Sequence, residues 1–243
     1  MKQYFFITGV SRGIGKSLAT KALENPKNKV YGFSRNNPEI FDNNFEWYHT
    51  DLSDTNTLLN FEFPEISNLN LSKIILINNA AIIGDINFSG KKEPNKIIKT
   101  YTTNIIATSI LINNFMKKFC HCNCQKLIIN ISSGAGRHPI ASWSDYCATK
   151  SAMDMLSETI NEELSFGSCS NTKIFSIAPG IVDTDMQKDI RKSNKERFPY
   201  YETFVEYKNT GALWSPDFVA EKFFDIIENT EKYTEVILDI RDF

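Results

Sequence analysis

The sequence predicts a doubly wound α/β domain, with a parallel sheet of seven strands and helices on both faces. Three observations predict it. Short apolar runs alternate with stretches of helical period along the whole chain. A glycine-rich turn joins the first apolar run to the first helical stretch. No glycine- or serine-rich linker and no internal repeat divides the 243 residues, so residues 1–243 read as one domain.

The elements follow in order. Tyr4 to Thr8 is the first strand and Gly13 to Leu23 the first helix. Lys29 to Phe33, Glu46 to Thr50 and Lys73 to Asn78 are the next three strands. Pro94, a residue suited to a first helical turn, opens a long helix running to about Lys118. Lys126 to Ser132 is the fifth strand, Ser144 to about Leu164 a helix, and Lys173 to Ala178 the sixth strand. Ser215-Pro216 reads as an N-cap followed by proline at the first helical position, and that helix extends to about Glu228. Glu235 to Asp239 is the seventh strand. Residues 184–214 fit this rhythm least well, mixing charges with the aromatics Phe198, Tyr200, Tyr201, Phe204, Tyr207 and Trp214. They lie past the carboxyl end of a strand, where open α/β sheets bind ligands. A substrate lid of short helices is the functional reading. A surface excursion packing its aromatics on the body is the plain one, and both can hold.

Composition narrows the function. Apolar residues make up 42% of the chain, enough for a sizeable core, and 27 basic against 29 acidic residues give a formal charge of −2. No positive excess points to nucleic acid or an anionic membrane. The longest apolar runs, such as Ile74 to Ile77, are strand-sized, and a strand beginning at Gln3 leaves no room for a signal peptide. The expectation is a soluble cytoplasmic enzyme. An odd count of five cysteines agrees with it. Cys120-His121-Cys122-Asn123-Cys124 invites a metal reading, but its spacing differs from C-x-x-C and no second cluster follows, so it reads as a polar loop and no metal is expected.

Thr8-Gly9-Val10-Ser11-Arg12-Gly13-Ile14-Gly15 carries the first chemistry. Its glycines let backbone turn tightly and approach a pyrophosphate, whose charge the following helix N-terminus favours. An NAD site usually places Asp or Glu after the second strand, yet Ser34-Arg35 stands there. With Arg12 in the glycine loop, Arg35 suits a dianionic 2′-phosphate, so NADP(H) is the expected cofactor. Two solvated arginines are the plain alternative.

Tyr146 and Lys150 lie one turn apart early in a helix, and among nine tyrosines Tyr146 alone has a lysine four residues on. A neighbouring ammonium, together with a bound cofactor's cationic ring, is expected to favour the phenolate and lower the phenol's pKa. The strand ending Ile131-Ser132-Ser133 delivers hydroxyls to the same rim.

These motifs, with Asn78-Asn79-Ala80, Asn104 and Pro179-Gly180-Ile181-Val182-Asp183-Thr184, occur in the order of the short-chain dehydrogenase/reductase family, which the whole chain resembles. The resemblance implies a Rossmann fold, Tyr146 as general acid in reduction, Lys150 on the nicotinamide ribose, and Ser133 rather than Ser132 as the catalytic serine. It implies that Asn104 holds a water in a proton relay, that Asp51 and Leu52 contact adenine, that Asn79 and Ala80 lie beside the adenosine ribose, and that Pro179, Gly180, Val182 and Thr184 surround the nicotinamide. Ala81 departs from the family's usual glycine.

Within the family, Ile131 to Gly136, Trp143 to Cys147, Pro179 to Met186 and Gly211-Ala212-Leu213 resemble sepiapterin reductases and bacterial benzil reductases. That likeness implies NADPH-dependent reduction of one carbonyl of a dicarbonyl substrate, with Ser133, Gly134, Trp143 and Gly180 around the substrate. It offers Asp239 as the counterpart of a pterin-anchoring aspartate; a solvated strand end is the plain reading of the same residue. Trp143 and the later aromatics suit a flat conjugated substrate, or are simply core. Two other functions stay open at this point, an NAD-linked alcohol dehydrogenase and a non-catalytic NADPH-binding protein. The resemblance further implies a homodimer or homotetramer through the helices near Lys96 to Lys118 and Asp145 to Leu164.

Overall fold

A strand covered on both faces must be apolar on both faces, and the central strands are. In β1 (Lys2–Thr8), Phe5 and Ile7 enter one layer of core while Tyr4 and Phe6 enter the other, and all four are buried. The same division holds in β4 (Leu71–Asn78), where Ile75 and Ile77 face one way and Ile74 and Leu76 the other. The structure, a computed structural model, describes residues 2–66, 71–167 and 169–243.

The remaining strands are β2 (Lys29–Ser34), β3 (Phe45–His49), β5 (Gln125–Ile131), β6 (Thr172–Ala178) and β7 (Ile237–Asp239). All pair in parallel, in the order β3-β2-β1-β4-β5-β6-β7. This is the doubly wound Rossmann arrangement, and its strand order reverses between β1 and β4. On one face lie α1 (Gly13–Leu23) and α8 (Pro216–Glu228), whose Leu18, Ala19, Val219 and Phe223 reach the sheet. On the other lie α4 (Ala107–Phe119) and α5 (Ser144–Ser165), contributing Leu111, Phe115, Phe119 and Ile160. Between them in sequence come α2 (Thr55–Leu59) and α3 (Pro94–Tyr101). No helix among the described residues is long and apolar enough to cross a membrane.

The expected boundaries of α1 and α8 coincide with the observed ones, and Ser215 caps α8 by accepting from the Phe218 N–H. Two features depart from expectation. The five-residue α2 is too short to show a period, and what starts it is Asp54, whose carboxylate accepts from the N–H groups of Asn56 and Thr57. The long helix from Pro94 is interrupted by a π turn over Thr102–Ile106, where the Ala107 N–H reaches the Thr102 carbonyl. The 184–214 stretch contains α6 (Asp185–Arg191) and α7 (Tyr201–Asn209). Its aromatics pack on the body: Phe198 stacks on Trp143 with ring centroids 5.4 Å apart, and Phe204 lies against both. The Cys120–Cys124 cluster forms the turn between α4 and β5.

Phe6 anchors the aromatic layer, with Tyr31 and Phe63 at 5.1 Å and Phe119 at 5.4 Å between ring centroids. Phe6→Ala is expected to cost about 3–5 kcal/mol, read as a lower urea midpoint at unchanged slope.

Candidate active site

The reversal of strand order opens a crevice outside the carboxyl ends of the strands. It is a cleft of about 1170 Å³. Single small-molecule pockets run roughly 300–1,000 Å³, so this one has room for a dinucleotide and a second ligand together.

One half is built from the turn after β1. Gly9 adopts φ +72°, and a Cβ on Gly15 would sit on the Gly9 carbonyl, so the turn closes only with glycines. Asn79, just past β4, clamps it: its Nδ2 donates to the carbonyls of Thr8 at 2.8 Å and Gly9 at 3.2 Å. The Thr8 hydroxyl accepts from the N–H groups of Asn79 and Ala80, each at 3.0 Å. Gly9, Ser11, Arg12, Gly13 and Ile14 line the cleft, while Gly15 serves packing instead. α1 begins without a side-chain cap, leaving its first N–H groups available at the cleft wall.

Arg35, Asp51, Leu52, Asn79 and Ala80 also line this half. Arg12 pairs with Asp185 across the cleft at 3.0 Å, and Arg35 makes no ion pair among the described residues; against desolvation, the hydrogen bonds from Ser53, and after them the charge of Arg35, hold the Asp51 carboxyl below its ordinary range. The Ser34 hydroxyl donates to the Asn36 carbonyl at 2.8 Å and accepts from Trp47 Nε1 at 3.0 Å, so its hydrogen is already committed.

The other half is carried by β5 and α5. Ser133 follows the strand, with its Oγ accepting from the Ala135 N–H at 3.2 Å and near enough to the Tyr146 hydroxyl to oppose the rise in its pKa. Lys150 Nζ donates to the Ile131 carbonyl at 2.6 Å and lies 5.7 Å from the Tyr146 ring centroid. Burial governs both titrations. It raises the Tyr146 phenol to about 12, against the opposing effect of Ser133, and lowers the Lys150 ammonium to about 8, against the charge of Asp154. Among the protein's own groups desolvation outweighs the neighbouring ammonium, and the lysine's hydrogen bond goes to backbone. Tyr146 holds its proton at neutral pH.

Asn104 is fully buried and sits in the π turn, outside the cleft lining. Its Oδ1 accepts from the Ile82 N–H and its Nδ2 donates to the Ile82 carbonyl, both at 2.9 Å, and to Thr149 Oγ1 at 3.2 Å. It thus ties the segment after β4 to α5, one residue before Lys150. Pro179, Gly180, Val182 and Thr184 line the far wall, and Gly134 and Trp143 lie beside Ser133 and Tyr146. Asp239 is placed differently from the expectation: it is buried, absent from the cleft lining, and its carboxylate is taken by Arg241 at 2.9 and 2.6 Å. Arg241 lines the cleft instead. Sequence reasoning missed it, although its place just beyond a strand's carboxyl end was a usable signal.

The fold and site together define a nucleotide-dependent oxidoreductase. Residues 3–195 match the short chain dehydrogenase family, and the chain belongs to that family, whose members use a nicotinamide cofactor on alcohol or carbonyl substrates. It is similar to benzil reductase ((S)-benzoin forming) of Bacillus cereus, 34% identical over 94% of this chain and 95% of the relative. It is similar also to sepiapterin reductase of Bos taurus, 25% identical over 97% of this chain and 93% of the relative. A solved short chain dehydrogenase/reductase from Saccharomyces cerevisiae shares the fold, with a TM-score of 0.82 at 22% identity over 99% of this chain and 96% of that one.

A buried ammonium with a lowered pKa destabilises the folded state fully below about pH 8, and that cost is relieved as pH rises toward the unfolded value of 10.5. Lys150→Met should therefore unfold at higher temperature than the wild type at pH 7, by up to about 3 kcal/mol of stability. The gap should shrink as pH rises above 8, whereas a constant gap, or a less stable variant, would remove desolvation as the governing term.

Proposed function

We propose that the protein is an NADPH-dependent carbonyl reductase acting on one carbonyl of a dicarbonyl substrate of the benzil or sepiapterin kind, with Tyr146 as general acid. The observation that carries this reading is a buried phenol, protonated at neutral pH and influenced by Ser133, at the cleft. The benzil and sepiapterin reductase relatives support the substrate class.

The residues present suit the cofactor. Uncapped N–H groups at the start of α1 match a pyrophosphate, and Arg12 and Arg35 match a 2′-phosphate. When bound, the dihydronicotinamide supplies a hydride to the carbonyl carbon. As charge grows on the carbonyl oxygen, the hydroxyls of Ser133 and Tyr146 stabilise it from positions fixed in advance. Tyr146 then gives up its proton, and Lys150, with its ammonium lowered to about 8 by burial, is suited to restore it. Asn104 acts by position, holding Ile82 and Thr149 so that α5 presents Tyr146 and Lys150 at one place. Residues 184–214 form the lid over the substrate. Exposed Ile98 on α3, Ile106 in the π turn and Met155 on α5 support a homodimer or homotetramer through these helices.

Tyr146→Phe should lower kcat by about 10²–10⁴-fold while NADPH affinity, read by fluorescence titration, stays near that of the wild type. Near-normal turnover would remove Tyr146 from its role. Replacing both Arg12 and Arg35, by Ser and Asp, should cut the NADPH-over-NADH ratio of kcat/KM by at least about tenfold, since each guanidinium-to-phosphate contact is charge-assisted.

A further inference from the structure

Past Ser133 the chain continues with Gly134, and Gly134 and Gly180 both line the cleft. A Cβ placed on Gly134 would meet one heavy atom within 4 Å beyond its own chain neighbours, Nη2 of Arg241 at 3.9 Å; one placed on Gly180 would lie 3.1 Å from the Trp214 ring and 3.6 Å from Arg241 Cγ. The arginine therefore runs from Gly180 to Gly134 along the cleft and ends one residue from the reacting hydroxyls.

This arm is built into the fold. Arg241 Nε and Nη2 donate to the Asp239 carboxylate, whose other cationic neighbour is Arg137, with Nη1 at 4.0 Å from Oδ2. Arg137 in turn donates to Asp154 at 3.3 Å and to the Leu238 carbonyl at 2.9 Å, and Asp154 accepts from Ser176 at 2.6 Å. Alternating charges thus lead from α5, one turn beyond Lys150, to the guanidinium. Two of the five guanidinium N–H groups are used on Asp239, and the others have no protein partner among the described residues. Arg137 and Arg241 balance Asp154 and Asp239, so the network carries no net charge to draw an anion. What it offers is aimed donors, beside an apolar wall of Trp143, Phe204 and Tyr207. A ligand edge made of donors would need Asp239, whose two oxygens Arg241 already holds.

We propose that Arg241 determines specificity by donating hydrogen bonds to the second carbonyl oxygen of a neutral vicinal dicarbonyl whose first carbonyl lies between Ser133 and Tyr146. The proposal rests on the carbonyl-reductase reading and names the residue that selects its dicarbonyl substrate. The oxygen beside the reacting one falls over Gly134, where no side chain obstructs it and the guanidinium is the nearest group.

The test compares 1-phenyl-1,2-propanedione with propiophenone as NADPH-dependent substrates, which differ in the second carbonyl alone. The intrinsic reactivity of the diketone cancels when the ratio of its kcat/KM to that of the monoketone is compared between wild type and Arg241→Met. That ratio should fall by at least about tenfold in the variant, the loss of a charge-assisted hydrogen bond. Arg241→Lys should recover part of it. An Asp239→Asn/Arg241→Met double variant, which leaves no unpaired buried carboxylate, should show the same fall. An unchanged ratio in variants that turn over both ketones overturns the role of Arg241 and leaves the reductase reading standing. Calorimetric titration of the diketone into the NADP⁺ complex reads the same contact without turnover, so weaker binding in Arg241→Met supports the contact even if neither ketone is reduced. Equal affinity in both proteins refutes it.

Discussion

The site depends on one constraint: a phenol and an ammonium are buried together with no carboxylate paired to the ammonium. Desolvation then sets both titrations, pushing the phenol up to about 12 and the ammonium down to about 8. Such groups must be held by the frame, since burial alone would expel them. α5 supplies much of that frame. Its N-terminal end is fixed where the nearly buried Lys92 ammonium pairs with Asp145 at 2.8 Å and donates to Ser144 at 2.9 Å. Its middle is pressed so closely on the 134–136 turn that a Cβ on Gly136 would lie 2.9 Å from the Lys150 carbonyl carbon. From the other side Asn104 reaches Thr149, whose own hydroxyl donates to the Tyr146 carbonyl at 2.9 Å.

The π turn belongs to the same constraint. An uninterrupted helix from Pro94 would place the residues after Asn104 at a different rotation, whereas the extra residue in the turn lets Asn104 face Ile82 and Thr149 while Leu111 and Phe115 still face the sheet. A local departure from helical regularity thus serves two registers at once, one for core packing and one for the polar clamp. The Thr8–Asn79 clamp does comparable work for the nucleotide half, locking the glycine turn to the end of β4 through backbone groups.

How far the sequence foretells this differs by residue. The apolar runs of β1 and β4 are a local property, and so is the glycine turn; both were readable because strand composition and turn chemistry act over a few residues. Tyr146 and Lys150 were readable as a pair because helical spacing puts them on one face. The depth of their burial was not, since spacing states proximity and says nothing of solvent. Asp239 shows the same gap. A carboxylate at a strand end is visible in the sequence, but its capture by a guanidinium two residues on depends on a turn that no periodicity marks. The short α2 and the π turn were hidden for a related reason, being fixed by a cap and by tertiary contacts rather than by pattern.

The two sides of the proposed substrate space are therefore unequal in their freedom to vary. Trp143 stacks on Phe198, meets Phe204 and stands edge-on to Tyr146 at 5.7 Å, so the aromatic wall also anchors the 184–214 excursion to the body. The Arg12–Asp185 bridge adds little to that anchor, because its arginine is largely exposed and such pairs contribute about 0–1 kcal/mol. Changing the wall would loosen the excursion and disturb the acid together. The Gly134–Arg241 side carries no such double duty, since Gly134 has no side chain and the guanidinium is held by Asp239. Selectivity can change there by altering one side chain while the proton-donating group stays where α5 holds it.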